Sequence, residues 1–96
     1  DQEYYYSGPL DKKTRPLCRE IIAMQPFTRQ ELESTFPGAF TDRGGHNCRH
    51  LIIPVSTNSE YREDRALARK DVQKMKASKR YKKPETLRQY YERVQN

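Results

Sequence analysis

A small α+β module followed by a basic helical extension is what the 96-residue sequence predicts, and three observations carry the prediction. Two strand-like runs, Tyr4–Tyr6 and Leu51–Val55, bracket the first half. Two short helix signals lie between them. The second half is helix-forming, broken once by a proline, and strongly basic. The expected architecture is a small two-stranded sheet with two short helices over residues 1–55, and a basic helical extension over 56–96.

A third of the residues are apolar and a third charged, which limits the chain to one modest core. No run approaches the roughly 18 apolar residues of a membrane helix, and the acidic opening Asp1-Gln2-Glu3 is unlike a secretory signal. No membrane partner is expected. The chain opens without Met, directly in a strand-like run, and is expected to be a fragment of a longer protein.

Aromatic Tyr4–Tyr6, stopped by Ser7-Gly8-Pro9, predicts a strand over 3–7 that runs into a turn. Thr14 is a candidate cap and Pro16 suits a first turn. Leu17, Cys18, Ile21 and Ile22 share one helical face, so a helix is expected over 15–24 with Cys18 inward. Thr28 and Glu31 have capping-box spacing, flanked by Phe27 and Leu32 as a hydrophobic staple, which predicts a helix over 29–36 ended by Pro37-Gly38. Residues 39–45 show no period and read as loop. Leu51, Ile52, Ile53 and Val55 leave no polar side, so the strand over 49–55 is expected to be buried on both faces and paired with the tyrosine strand. Pro54 cannot donate to a ladder and must sit at a strand end or on an edge.

Beyond a polar linker whose Ser59 can cap, residues 60–80 predict a helix with only a narrow apolar stripe of Tyr61, Ala68, Val72 and Met75. Such a helix needs a partner. Pro84 and Glu85 should open a second helix, on which Leu87, Tyr90, Tyr91 and Val94 make an apolar face suited to a partner protein. Charge is distributed unequally: residues 1–55 are neutral, whereas 56–96 hold twelve basic groups against six acidic ones. Arg69, Lys70, Lys74, Lys76, Lys79, Arg80, Lys82 and Lys83 could grip phosphates without reading sequence; a solvated helix face is the plainer alternative.

The densest chemistry lies at residues 44–55, where two glycines, a His/Cys/His cluster and the apolar run adjoin. With Cys18, the residues His46, Cys48 and His50 supply two sulfurs and two nitrogens, a set that zinc accepts. In an extended strand His46 and His50 would be about 13 Å apart, so sharing one ion requires a sharp turn. The reading preferred from spacing alone makes Cys18 and Cys48 neighbouring core thiols, or a disulfide, with the histidines at the rim. Two cysteines are few for a small secreted scaffold, which favours a reducing compartment. A Cys/His nucleophile, or a nuclease using His46, His50, Arg15 and Arg49, is conceivable, but nothing in the spacing enforces a pocket; no enzyme is expected.

Read together, Ser7-Gly8-Pro9-Leu10-Asp11, Thr14-Arg15-Pro16-Leu17-Cys18-Arg19, Phe27-Thr28-Arg29-Gln30-Glu31-Leu32 and Gly44-Gly45-His46-Asn47-Cys48-Arg49-His50 before Leu51-Ile52-Ile53-Pro54-Val55 are familiar in their order. This pattern, over residues 4–55, resembles the carboxy-terminal module of tailed-phage head morphogenesis (minor head) proteins, the Mu F-like group. The resemblance implies a minor capsid component in the phage head, in the host cytoplasm during assembly. It would associate with portal or capsid protein as a non-enzymatic, homo-oligomeric component of the virion, and assist head assembly, DNA packaging or delivery. Members of the group look like metal-binding modules with an early Cys-x-x-Cys and a late His-x-x-Cys-x-Cys. Here Arg15 stands at the first early position, His50 replaces the last cysteine, and Gly45 occupies the usual histidine position, one residue before His46. The alternative functions are a small zinc-stabilised nucleic-acid-binding module or a phage-encoded nuclease.

Overall fold

The computed structural model describes residues 1–45, 48–57 and 59–95. Strand β1 (Glu3–Ser7) is followed by helix α1 (Pro16–Met24), the two-residue strand β2 (Phe27–Thr28) and helix α2 (Arg29–Thr35). Then come a single turn α3 (Ala39–Asp42), strand β3 (Leu51–Pro54), and helices α4 (Arg62–Ala77) and α5 (Leu87–Gln95). The sheet is antiparallel throughout, in the order β2-β1-β3. The α+β class stands, but the sheet has three strands, not two. Phe27 and Thr28 pair with Tyr4 and Glu3 while serving as staple and cap, so one dipeptide carries two structural signals.

β1 is central, and both its faces are used. Tyr6 is 2% exposed in the core; Tyr4 meets Phe40 edge-on at 5.0 Å; Tyr5 stacks on Tyr61 at 5.8 Å. β2 reaches only as far as Tyr4, and the next inward N–H, that of Tyr6, donates to the buried side-chain oxygen of Gln25 at 2.8 Å. The Gln25 amide nitrogen donates onward to the Tyr61 carbonyl at 3.3 Å. One buried amide thereby prolongs the ladder and pins the start of α4 to the sheet.

The expectation that residues 49–55 form a strand buried on both faces is corrected. β3 pairs with β1 as anticipated, yet it is an edge strand, with Leu51 57% exposed and Ile52 and Ile53 half-buried. Three strands and short helices cannot cover two faces of an edge. Pro54 lies where its missing N–H costs nothing: Val55 N–H bonds to the Glu3 carbonyl, so the backbone groups of Ile53 and Leu51 point at β1 and those of Ile52 and Pro54 point away.

α1 begins with Pro16 in its first turn, as read from the sequence, but Thr14 does not cap it. Thr14 is buried, its hydroxyl donating to the Pro9 carbonyl and accepting from Asp11 N–H, which folds residues 9–14 into a tight loop. α2 carries the anticipated capping box: Thr28 Oγ1 accepts from Glu31 N–H at 3.1 Å, and Glu31 accepts from Thr28 N–H at 2.8 Å. Thr28→Ala should lower stability by about 1 kcal/mol. Thermal melts showing a midpoint shift of roughly 4–8 °C would agree with that loss. Residues 39–42, expected as loop, form α3 instead.

The second half also departs from expectation. The partner that α4 requires is α1 of the same chain: Ala68 (0% exposed), Val72 and Tyr61 are buried, and Arg19 pairs with Asp71 at 2.6 Å. Ala68 is small enough to bring the two backbones together, so a stripe too narrow to fold alone suffices against a preformed helix. Ser59 accepts from Ser56 N–H and leaves Tyr61 as the cap of α4. α5 is anchored ahead of its first turn by Thr86, fully buried, whose hydroxyl donates to the Pro37 carbonyl. Thr86 and Gln89 exchange the two hydrogen bonds of a capping box, so the helix starts after Thr86 and not at Pro84. No described helix is long and apolar enough to cross a membrane.

Candidate metal centre

Two stretches distant in sequence meet beside the buried face of β1. α1 directs Cys18 inward from its first turn, and the segment leading into β3 brings Cys48 and His50 onto it. The ligating atoms of Cys18, Cys48 and His50 all lie within 4.8 Å of one another, close enough to hold a metal ion. Both cysteines are free thiols, so the disulfide alternative is not what the structure contains. His46, the fourth residue of the expected set, lies outside the described residues.

Contrary to the expectation of histidines at the rim, His50 is 2% exposed, its ring stacked on Tyr6 at 4.9 Å and nearly parallel. Its Nε2 lies 2.8 Å from the Pro9 carbonyl. A carbonyl only accepts, so Nε2 carries the proton, and the lone pair of the neutral ring is on Nδ1, facing Cys48 Sγ at 4.0 Å. Burial lowers the imidazole pKa and favours this neutral form. A second contact that fixes the tautomer of a metal-binding histidine is the usual support of such sites.

The sulfurs are treated differently. Burial pushes the Cys18 thiol up to about 11. For Cys48 burial, the largest single influence, also raises the pKa. It is outweighed by hydrogen bonds from the Tyr6 hydroxyl (3.5 Å) and from the backbone N–H groups of His50 and Gly44 (both 3.4 Å), and the net shift is downward. Donors aimed at a sulfur favour its anionic, ligating form. Zinc–sulfur and zinc–nitrogen bonds of about 2.3 and 2.0–2.1 Å place tetrahedral ligands roughly 3.5–3.8 Å apart, so a contraction of about 1.3 Å at most closes this cluster on an ion.

Two glycines are required by contact. A methyl group at Gly8 would lie 2.5 Å from the His50 ring, and one at Gly44 would lie 2.7 Å from Cys18 Sγ and 3.1 Å from Cys48 Sγ. Sequence reasoning took both for turn residues and missed their part in the site. It missed Tyr6 as well, reading it only as strand. The contact set is completed by Asp11, which accepts both terminal nitrogens of Arg49 at 3.0 and 3.1 Å, by Arg43, whose Nη1 donates to the His50 carbonyl, and by Arg15, which donates to the Gly44 carbonyl. The cavity over the thiols, lined by Lys13, Thr14, Arg15 and Arg49, is about 100 Å³.

Two of the basic residues of the second half have partners within the chain. Arg69 donates to the Ala23 carbonyl at 2.9 Å, satisfying the end of α1, and the Lys83 ammonium sits over the Phe36 ring at 5.0 Å. Lys70, Lys74, Lys76, Lys79, Arg80 and Lys82 are exposed. Of the expected partner face, Leu87 is half-buried, whereas Tyr90, Tyr91 and Val94 are 45%, 44% and 53% exposed. No protein-family model, curated protein or solved structure matches the chain.

Proposed function

We propose that the chain is a metal-clasped, non-enzymatic structural module of the phage minor head type, and that the ion held by Cys18, Cys48 and His50 is zinc. The observation that supports this reading is convergence. The segments that carry the resemblance are far apart in sequence, yet they meet through the very residues that define them: Gly8 against the His50 ring, Pro9 to His50 Nε2, Asp11 to Arg49, Cys18 beside Cys48, and Gly44 on both sulfurs. A motif retained for catalysis would be expected to open onto a substrate-sized cleft of roughly 300–1,000 Å³. The cavity here is about 100 Å³ and His50 is sealed beneath Tyr6, which favours a clasp over a reaction centre.

In this reading the exposed Tyr90, Tyr91 and Val94 contact portal or capsid protein, and the lysines of α4 and the following segment lie against packaged DNA in the virion. Changing all three α5 residues to serine should abolish co-sedimentation with purified phage portal or capsid protein, while leaving zinc content at one ion per molecule. Undiminished co-sedimentation would remove the α5 assignment. For DNA, Lys70, Lys74, Lys79, Arg80 and Lys82 would give a logarithmic salt dependence with a slope of about −4 to −5 and no sequence preference. A flat salt response in a filter-binding titration would show those lysines to be solvated surface only.

A further inference from the structure

Among the described residues, Tyr6 touches all three metal-ligating side chains. Its hydroxyl lies 3.5 Å from Cys18 Sγ and 3.5 Å from Cys48 Sγ, and its ring stacks on His50 at an interplanar angle of 5°. It is held in the central strand, 2% exposed, with its backbone N–H fixed by Gln25. A phenylalanine would fill the same core space. The hydroxyl is therefore the feature that needs a reason, because burying it costs free energy unless it finds a good partner, and its partners here are two sulfurs. A neutral thiol is a poor acceptor; a metal-bound thiolate carries negative charge and is a strong one.

Resting on the reading of the cluster as a metal centre, we propose that Tyr6 is its positioning residue, with a hydroxyl that donates to the metal-bound thiolates and a ring that holds His50 in line. The hydroxyl is a donor and not a fourth ligand. Nδ1 would offer its lone pair to an ion within the imidazole ring plane, whereas the phenol ring is stacked parallel to that ring and its hydroxyl lies 3.5 Å from each sulfur, at hydrogen-bonding distance from the thiolates. Outer-shell partners of this kind set metal affinity by about 10–100-fold.

The test is Tyr6→Phe, read in both metal-free and metal-loaded protein. Expected are a 10–100-fold weaker affinity for zinc by competition with a chromophoric chelator and a shifted thiolate charge-transfer band in the cobalt-substituted protein. The melting midpoint of the metal-free protein should be unchanged or raised, since the hydroxyl then loses only weak partners. A role in packing alone would leave the cobalt band in place. Equal affinity and an identical band in the variant overturn the inference while leaving the metal centre standing; failure of the wild-type protein to take up cobalt or zinc defeats the centre itself. A tyrosinate absorption appearing when the wild-type protein binds zinc would make Tyr6 a ligand and overturn the donor role. Should the variant not fold, the cadmium-loaded wild-type protein decides: a slowly exchanging Tyr6 hydroxyl proton coupled to the metal is expected, and rapid exchange overturns the inference.

Discussion

Exchanging Cys48 for serine in the zinc-loaded protein is expected to lower the melting midpoint by roughly 10–20 °C and to end metal retention. Free zinc at about a hundred times its dissociation constant stabilises a folded chain by about 2.7 kcal/mol. A domain of this size shifts its midpoint by about 4–8 °C per kcal/mol. Serine keeps the shape of the side chain but gives a poor zinc ligand, and it leaves the N–H groups of Gly44 and His50 and the Tyr6 hydroxyl, all now directed at the sulfur, with a shorter and less negative acceptor. Calorimetry of wild type and variant, each with and without a chelator, separates metal from packing. Chelated wild type should melt near the variant, and the variant should ignore the chelator. If wild type is also indifferent to chelator and to added zinc, Cys18 and Cys48 are core thiols and the clasp is no clasp.

Ala68→Asp should have the largest effect on the second half, detaching α4 from α1. Ala68 is 0% exposed in the core cluster, so the carboxylate would be buried among apolar neighbours, and Arg19 on the facing helix is already engaged by Asp71. An uncompensated buried charge costs about 3–5 kcal/mol, a large fraction of the 5–15 kcal/mol that holds a domain together. The expected result is loss of hydrogen-exchange protection and rapid proteolysis across Arg62–Ala77, with Tyr5 and Tyr61 no longer stacked. Protection of α4 equal to wild type would mean that the α1 contact is dispensable and that the helix is held from elsewhere.

Some of this architecture was legible because it is local. The Thr28–Glu31 box needs only residues three apart, Pro16 acts on its own turn, and the pairing of β1 with β3 follows from two strand-like runs with nothing else to pair. β2 was hidden because Phe27 and Thr28 already had a local explanation. The docking of α4 was hidden because its central residue is an alanine, whose contribution is closeness and not area, and closeness cannot be seen before α1 is in place. Thr86-x-x-Gln89 was visible as a box but was overshadowed by Pro84.

The candidate site divides in the same way. Residue chemistry marked Cys18, Cys48 and His50, and the structure brings them together. What could not be read was depth: whether His50 lies at a rim or under a tyrosine depends on the loop of residues 9–14, whose Pro9 carbonyl takes the ring nitrogen, and no periodicity encodes that. Tyr6 carried no signal at all, since an aromatic residue in a strand is expected whether or not its hydroxyl has work.

Pro54 has a last consequence, for molecules packed close together. Along the β3 margin of the sheet, His50 has its carbonyl taken by Arg43 and its N–H directed at Cys48, and Pro54 has no proton to give, which leaves Ile52 as the solitary backbone donor over that length. Two copies pressed side by side would find too few bonds to zip into a shared ribbon. On the β3 side, therefore, crowding at high local concentration does not meet the fibrous association that an unguarded margin invites.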